Sequence, residues 1–277
     1  MPEQEDSDDP DVLRSEIKRL RKLLTEHTSP LEVILKRRGF NIFRKESLDD
    51  LLIPAEKFLD EFYEMMKKYS FRLFLREVIR HQGGFSPDMV TRYAAADVTE
   101  GYIGFMEAVG LVRRAPGGFC LIRVPIKSFG ETLEWLVAEI FRREFAAESI
   151  RGIRFRRPGV GGDYDLIVKV DGAILYMEIK SSPPKQIYQN EIASFFKRIQ
   201  DLSPDIGIFF MDTELRMQDK IIPMFAEELR KDDNPPEILR IEKELFQISG
   251  KVFIINARES IISNIGKVLS FYFRRKQ

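Results

Sequence analysis

Hydrophobic positions along this chain repeat with two periods, and the places where the period changes mark its elements. Leu13, Ile17, Leu20 and Leu24 fall four, three and four residues apart among charged neighbours, which predicts an amphipathic helix of about two heptads. Such a helix suits either pairing with a second copy or packing on its own chain. Ser29-Pro30 interrupts it, and Leu31 to Lys36 starts a short helix that Gly39 ends. Ser47 to Tyr69 reads as helical throughout, with Pro54 as a start signal in its middle and Phe58, Phe62 and Met65 at helical spacing. From Phe71 to Val124 the pattern is more compact. A helix runs to Arg80, Gly83-Gly84 turns the chain, Ser86-Pro87 opens a second helix, and a third spans roughly Thr99 to Val109. Leu111 to Arg114 and Phe119 to Val124, joined by Pro116-Gly117-Gly118, then form a hairpin.

Ser128-Phe129-Gly130 marks a boundary. Beyond it, Glu131 to Ala147 is amphipathic, with Leu133, Leu136, Val137, Ile140 and Phe141 on its apolar side. Ile150 to Arg157 alternates as a strand, Ile153 and Phe155 on one face and Arg154 and Arg156 on the other. A Gly-rich loop leads into two apolar runs, Leu166 to Val170 and Ile174 to Ile179, separated by Asp171-Gly172, which is a hairpin signal. Helix follows at Gln189 to Gln200, strand at Ile206 to Met211, helix at Glu214 to Arg230, strand at Val252 to Asn256 and a last helix from Glu259 to Phe273. The order α-β-β-β-α-β-α-β-α predicts an α/β fold with a mixed sheet. The chain accordingly divides into an acidic tail and amphipathic helix (1–29), a helical segment (30–70), a unit of three helices and a hairpin (71–128) and an α/β domain (129–277).

At 277 residues and 44% hydrophobic content the chain suffices for one large core or two to three small ones, and it lies in the globular range. It has no apolar run of about 18 residues. Its first residues, MPEQEDSDDPD, are acidic and unlike a signal peptide. A cytoplasmic protein with no membrane partner is expected. The single cysteine, Cys120, excludes an intrachain disulfide, and with only His27 and His81 a Cys/His zinc site lacks ligands. Any metal here is held by oxygen. The net charge of zero conceals an asymmetry: six acids (Glu3, Glu5, Asp6, Asp8, Asp9, Asp11) fall in the first eleven residues, so the remainder is positive. Basic clusters stand at Lys36-Arg37-Arg38, Arg113-Arg114, Arg154-Arg156-Arg157 and Arg274-Arg275-Lys276.

Candidate chemistry gathers on the hairpin from Gly161 to Ser182. Because side chains alternate across a strand, Asp163 and Asp165 share one face of its first strand, and Glu178 and Lys180 share one face of the second. Three carboxylates and an ammonium are thereby expected to converge. Asp165 is preferred to Asp163 because it abuts the Leu166 to Val170 strand, whereas Asp163 follows two glycines. A phosphodiester anion must have its charge offset before a nucleophile approaches. Mg²⁺, hard and oxygen-seeking, does this from a site of two or three carboxylates. Gly159 to Gly162 lacks the Gly-Lys-Ser/Thr ending of a P-loop, and neither a G-x-S-x-G elbow nor a histidine close to Cys120 is present.

Asp165, a spacer of twelve residues and Glu178-Ile179-Lys180 resemble the D-(x)n-E-x-K signature of the PD-(D/E)xK nuclease superfamily, over roughly Gly130 to Asn256. The resemblance implies a restriction-endonuclease-like α-β-β-β-α-β core with a mixed sheet, and a Mg²⁺-dependent DNA endonuclease of restriction, defence or repair type, with Mn²⁺ able to substitute. It implies Asp165 and Glu178 as metal ligands, the Ile179 carbonyl completing the set, and Glu134 of LEWLVAEI joining from the preceding helix. Lys180 would position or help deprotonate the attacking water and contact the phosphate; burial lowers a lysine's pKa while neighbouring carboxylates raise it. Tyr164 stands where the family carries proline, and no Gln-x-x-x-Tyr element of the exonuclease branch follows Lys180.

The unit from Phe71 to Val124 resembles a winged-helix domain in its element order. Its third helix has no Lys or Arg between Ala94 and Leu111 but carries Glu100 and Glu107. DNA contact is therefore assigned to the wing, through Arg113, Arg114 and Arg123, with Arg154, Arg156 and Lys185 as further phosphate contacts. The same unit suits docking a protein partner equally well. A homodimer is expected if both strands of a duplex are cut. The competing expectation is a non-catalytic DNA-binding or assembly protein that uses the fold as a scaffold.

Overall fold

The computed structural model describes residues 29–47, 51–156 and 162–275, together with scattered positions between 12 and 20. Of the first amphipathic helix, Leu13 and Leu20 are helical and about half exposed, while Ile17 and Leu24 lie outside the described residues, as do Arg157, Lys276 and the Gly-rich loop through Gly161. The elements run α1 (Leu31–Arg37), β1 (Ile42–Lys45), α2 (Leu59–Met66), α3 (Tyr69–Arg80), α4 (Pro87–Val90), α5 (Ala96–Ala108), β2 (Val112–Ala115), β3 (Gly118–Leu121), α6 (Gly130–Glu144), β4 (Glu148–Phe155), β5 (Tyr164–Val170), β6 (Ala173–Lys180), α7 (Gln189–Leu202), β7 (Ile206–Met211), α8 (Ile221–Leu229), β8 (Ile238–Glu242), β9 (Leu245–Ile248), β10 (Val252–Asn256) and α9 (Ile261–Arg274).

Eight strands form one mixed sheet in the order β1-β4-β5-β6-β7-β10-β9-β8. β1, β4, β5 and β6 pair antiparallel, β6, β7 and β10 are parallel neighbours, and β9 and β8 return antiparallel. The β5–β6 turn works because Asp171 and Gly172 both take positive φ, 46° and 76°, whose twist matches the flanking strands. The β6 to β7 step is parallel and needs a crossover, which α7 supplies. Alternation sorts the sheet's side chains into two cores. Leu166, Val168, Met177, Ile208 and Phe210 face one, with α3, α5, α6 and α9. Ile167, Tyr176, Phe209 and Met211 face the other, with α1, α7 and α8. β7 is buried at every position, as its uninterrupted apolar run requires.

Several elements differ from the sequence expectation. The segment 30–70 is not wholly helical: Ile42–Lys45 forms β1, a short edge strand whose partner β4 is more than a hundred residues away in sequence. Ser47 to Tyr69 is not one helix. Leu51 and Leu52 are buried in non-helical chain, and the Leu52 N–H bonds Thr132 Oγ1 on α6 at 3.1 Å. Ile53 precedes Pro54, which disfavours helix there, and regular α-helix begins only at Leu59. The β8–β9 hairpin was not anticipated, and α8 begins at Ile221 instead of Glu214. In the unit from α3 to β3, the strand pair β2–β3 is joined by a bridge between Phe85 and Phe119. Gly118 permits this approach, since a Cβ there would run into the Phe85 carbonyl oxygen.

The helical region and the sheet share a core. Phe62 meets Trp135 of α6 with ring centroids 5.7 Å apart. Arg72 and Arg76 of α3 reach Asp212, just past the end of β7, with nitrogen–oxygen distances of 2.9 and 2.5 Å. Arg72 and Asp212 are 1% and 0% exposed. Among the described residues, no helix is long and apolar enough to cross a membrane.

Candidate functional site at the carboxyl end of β6

The β5–β6 register pairs Leu166 with Met177, and one step further sets Asp165 opposite Glu178. The Asp165 carboxylate is fixed there by its backbone neighbour, since Oδ2 accepts the Ile179 N–H at 2.7 Å. Asp163 takes no part. It precedes β5, and its carboxylate is held by the Arg154 guanidinium, 2.7 Å from Nη2 to Oδ2. Asp165 thus lies beside Ile179 and opposite Glu178, while Asp163, the third hairpin carboxylate expected with them, is drawn to Arg154. Arg154 is likewise already paired.

Glu178 is 3% exposed and its charge is answered from several directions. Arg198 of α7 donates to Oε2 at 2.9 Å, the Tyr176 hydroxyl donates to the same oxygen, and the Lys180 ammonium lies 3.0 Å from Oε1. Lys180 also bonds Glu191 Oε2 at 2.9 Å, while Glu191 Oε1 accepts the Tyr188 N–H and caps α7. One carboxylate thereby fixes both the helix start and the lysine. Tyr176 stacks on Phe195 with centroids 5.9 Å apart, which seats α7 over this end of the strand. Tyr164, standing where the nuclease family has proline, is a core residue in contact with Phe155 and Tyr176, and its hydroxyl bonds Asp201 at 2.8 Å.

Protonation follows from this environment. Burial opposes the charge on Lys180, but Glu178, Glu191 and Asp165 outweigh it and hold its pKa above that of an ordinary lysine. Lys180 is an ammonium here, suited to neutralising an anion and not to taking a proton from water. Asp165 is pushed well above the usual carboxylate range by burial and by the Glu178 charge, against the Ile179 N–H, Lys180 and Arg198. Glu134 of α6 is pushed up to about 10 by burial, with Asp165 and Glu46 adding to it and Arg151 opposing. Its Oε2 is buried with no hydrogen-bond partner among the described residues.

The raised Glu134 pKa has a measurable consequence. An acid whose folded pKa exceeds its unfolded one binds more protons when folded, so its contribution to stability is present at low pH. It is lost as pH rises from about 4.5 toward 10. Glu134→Gln is therefore expected to flatten the decline of unfolding free energy between about pH 5 and pH 9. Urea unfolding across that range reads it, and superimposable slopes for wild type and variant would refute the raised pKa.

Arg198, Tyr176 and Glu191 were not expected at the centre. Glu191 and Arg198 lie seven residues apart on one helix, a spacing that shares a face, but each also reads as solvated surface. The proposed phosphate contacts are dispersed: Arg113 and Arg114 on β2, with Arg114 Nε 3.3 Å from Glu107, Arg123 beyond β3, Arg156 beyond β4, and Lys185 in the turn before α7. Arg113, Arg114, Arg123, Arg156 and Lys185 are exposed. Among the described residues, no three His, Cys, Asp or Glu side chains are placed to hold a metal ion.

The chain is thus an α/β protein with a carboxylate and ammonium cluster at one end of its mixed sheet. No protein-family model matches it and no curated protein matches its sequence. It is similar to the crystal structure of a protein from Vibrio cholerae with TM-score 0.46 and 13% identity, over 84% of this chain and 57% of that one. The chain spans a little over half of that protein's length.

Proposed function

We propose that this protein is a metal-dependent deoxyribonuclease of the PD-(D/E)xK type, an endonuclease with a restriction-endonuclease-like core in α6-β4-β5-β6-α7-β7. The observation that carries the reading is the placement of Asp165 against Ile179 and opposite Glu178, with Lys180 bonded to Glu178. Asp165 and Glu178, with the Ile179 carbonyl, would hold a divalent cation such as Mg²⁺ or Mn²⁺, and Glu134, which is not placed to complete a three-carboxylate group with them, would join through a water. Their chemistry fits such an ion: all are hard oxygen donors, two of the carboxyls are raised in pKa, and Glu134 has a buried oxygen without a partner. Bound there, the cation would offset phosphodiester charge and acidify a water. The protein's own share is electrostatic: Lys180 presents a fixed positive charge, Glu191 aims it, and Arg198 and Tyr176 hold Glu178 in place.

The unit from α3 to β3 is read as a winged helix serving targeting or dimerisation. α5, in the place of a recognition helix, carries Asp97, Glu100 and Glu107 and no Lys or Arg. DNA contact then falls to Arg113, Arg114 and Arg123, and a protein partner remains an equal use of the unit.

One observation favours a second reading, a DNA-binding or assembly protein without catalysis. Glu178 is already satisfied by Arg198, Tyr176 and Lys180, so ligation of a cation requires it to exchange partners. Incubation with single- and double-stranded DNA and RNA separates the two. Cleavage in Mg²⁺ or Mn²⁺ that EDTA abolishes is expected, and intact substrates in every combination would leave only the second reading.

A further inference from the structure

A cleft of about 720 Å³ opens where the sheet meets the helical region, between α3 and residues 92–93 on one side and the chain leaving β6 and β7 on the other. Ser181 and Ser182, which line it, follow Lys180 directly in sequence, while Asp165, Glu178 and Lys180 are not themselves among its lining residues. Two tyrosines and two outer arginines give it its character. Tyr69 is half-buried, Tyr93 is 44% exposed, and the Arg92 guanidinium lies 5.2 Å from the Tyr93 ring centre. Arg80 is exposed beside its ion-pair partner Glu77.

The charges lining the cleft are close to balanced. Arg76 is committed to Asp212 and Arg80 to Glu77, and Arg92 and the acid Glu214 both line the cleft. A surface that binds duplex DNA through its backbone needs a strong positive excess, which this one lacks. Exposed aromatic faces with adjoining guanidinium groups are instead the chemistry that holds unpaired bases, through stacking and cation–π contact. The volume points the same way, since it is that of a small-ligand pocket and does not admit a duplex.

We propose that the cleft takes an unpaired polynucleotide strand, with a base on Tyr93 and a phosphate at Arg92. This rests on the nuclease reading only in making that strand the substrate; the binding itself is independent of it. The test is fluorescence anisotropy in EDTA with a labelled single-stranded DNA oligonucleotide, the RNA of the same sequence and a blunt DNA duplex. At least one single strand binds about tenfold or more tighter than the duplex, and the tighter of the two identifies the sugar. Tyr93→Ala and Arg92→Ala, at exposed positions that folding does not depend on, each weaken that strand about five- to tenfold and leave the duplex unchanged. Equal binding of duplex and single strands, or unaltered affinity in both variants, overturns the proposal. Single-strand binding through these residues without cleavage in any metal would sink the nuclease reading and leave the cleft standing. Metal-dependent cleavage that both variants perform and bind for like wild type would do the reverse.

Discussion

If the proposed nuclease reading holds, Lys180→Ala is expected to keep nucleic-acid affinity and to lose metal-dependent cleavage by about 10²–10⁴-fold, the range for a positioned charged or proton-handling group. On that reading the geometry puts the loss on the chemical step. Lys180 is pinned between Glu178 at 3.0 Å and Glu191 at 2.9 Å, and those carboxylates hold its pKa above that of a free lysine. Its contribution is a fixed positive charge at the end of β6. Removing it leaves Glu178 oriented, because Arg198 still donates to Oε2 at 2.9 Å. Single-turnover cleavage at saturating substrate, beside anisotropy in EDTA, separates chemistry from binding. Lys180→Arg keeps the charge in a bulkier fork and is expected to fall between the two. Undiminished cleavage by the alanine variant would remove Lys180 from the reaction.

The second large effect concerns stability and needs no functional assumption. Asp212→Ala is expected to lower the unfolding free energy by about 3–5 kcal/mol, the cost of leaving a buried charge without its partner. Asp212 and Arg72 are almost wholly buried. The alanine would strand Arg72, whose Nε and Nη2 both lie 2.9 Å from Oδ1. A lower urea midpoint at unchanged slope is the readout. Combining Asp212→Leu with Arg72→Met is expected to recover part of the loss, since apolar pairs replace buried ion pairs at little cost; Arg76, partly exposed, retains access to solvent. A loss below about 1 kcal/mol for Asp212→Ala would show that the junction tolerates an unpaired arginine. The Asp212 N–H also donates to the Lys180 carbonyl at 2.8 Å, so the same residue ties the helical region to the backbone of the candidate site.

The hairpin was legible because its signals are local. Alternation in Leu166 to Val170 and Ala173 to Lys180 sets which side chains share a face, and Asp171-Gly172 has the residues that a two-residue turn demands. Asp165, Glu178 and Lys180 follow from that register. Asp163 was placed with them by the same parity and is not there, because strand geometry begins only at Tyr164 and Arg154 draws its carboxylate away. The residues that complete the cluster come from elsewhere in the chain. Nothing in the helix from Gln189 to Leu202 distinguishes Glu191 and Arg198 from solvated charges until α7 is laid across β6 and the two side chains meet Lys180 and Glu178.

From its sequence alone, then, the chain determined its periodic elements: the strand run of β4 to β7, the helices α3, α5, α6, α7 and α9, the β2–β3 hairpin and an α/β class with a mixed sheet. Each depends on contacts within a few residues or on one repeating face, which a linear pattern records. Tertiary structure alone decided the rest. β1 is a strand because β4 offers it an edge, Leu52 lies outside any helix with its N–H bonded to α6, and Lys180 is an ammonium because two carboxylates from different elements close on it. Edge pairing, burial and desolvation arise only when distant segments share one volume, and no local period encodes them.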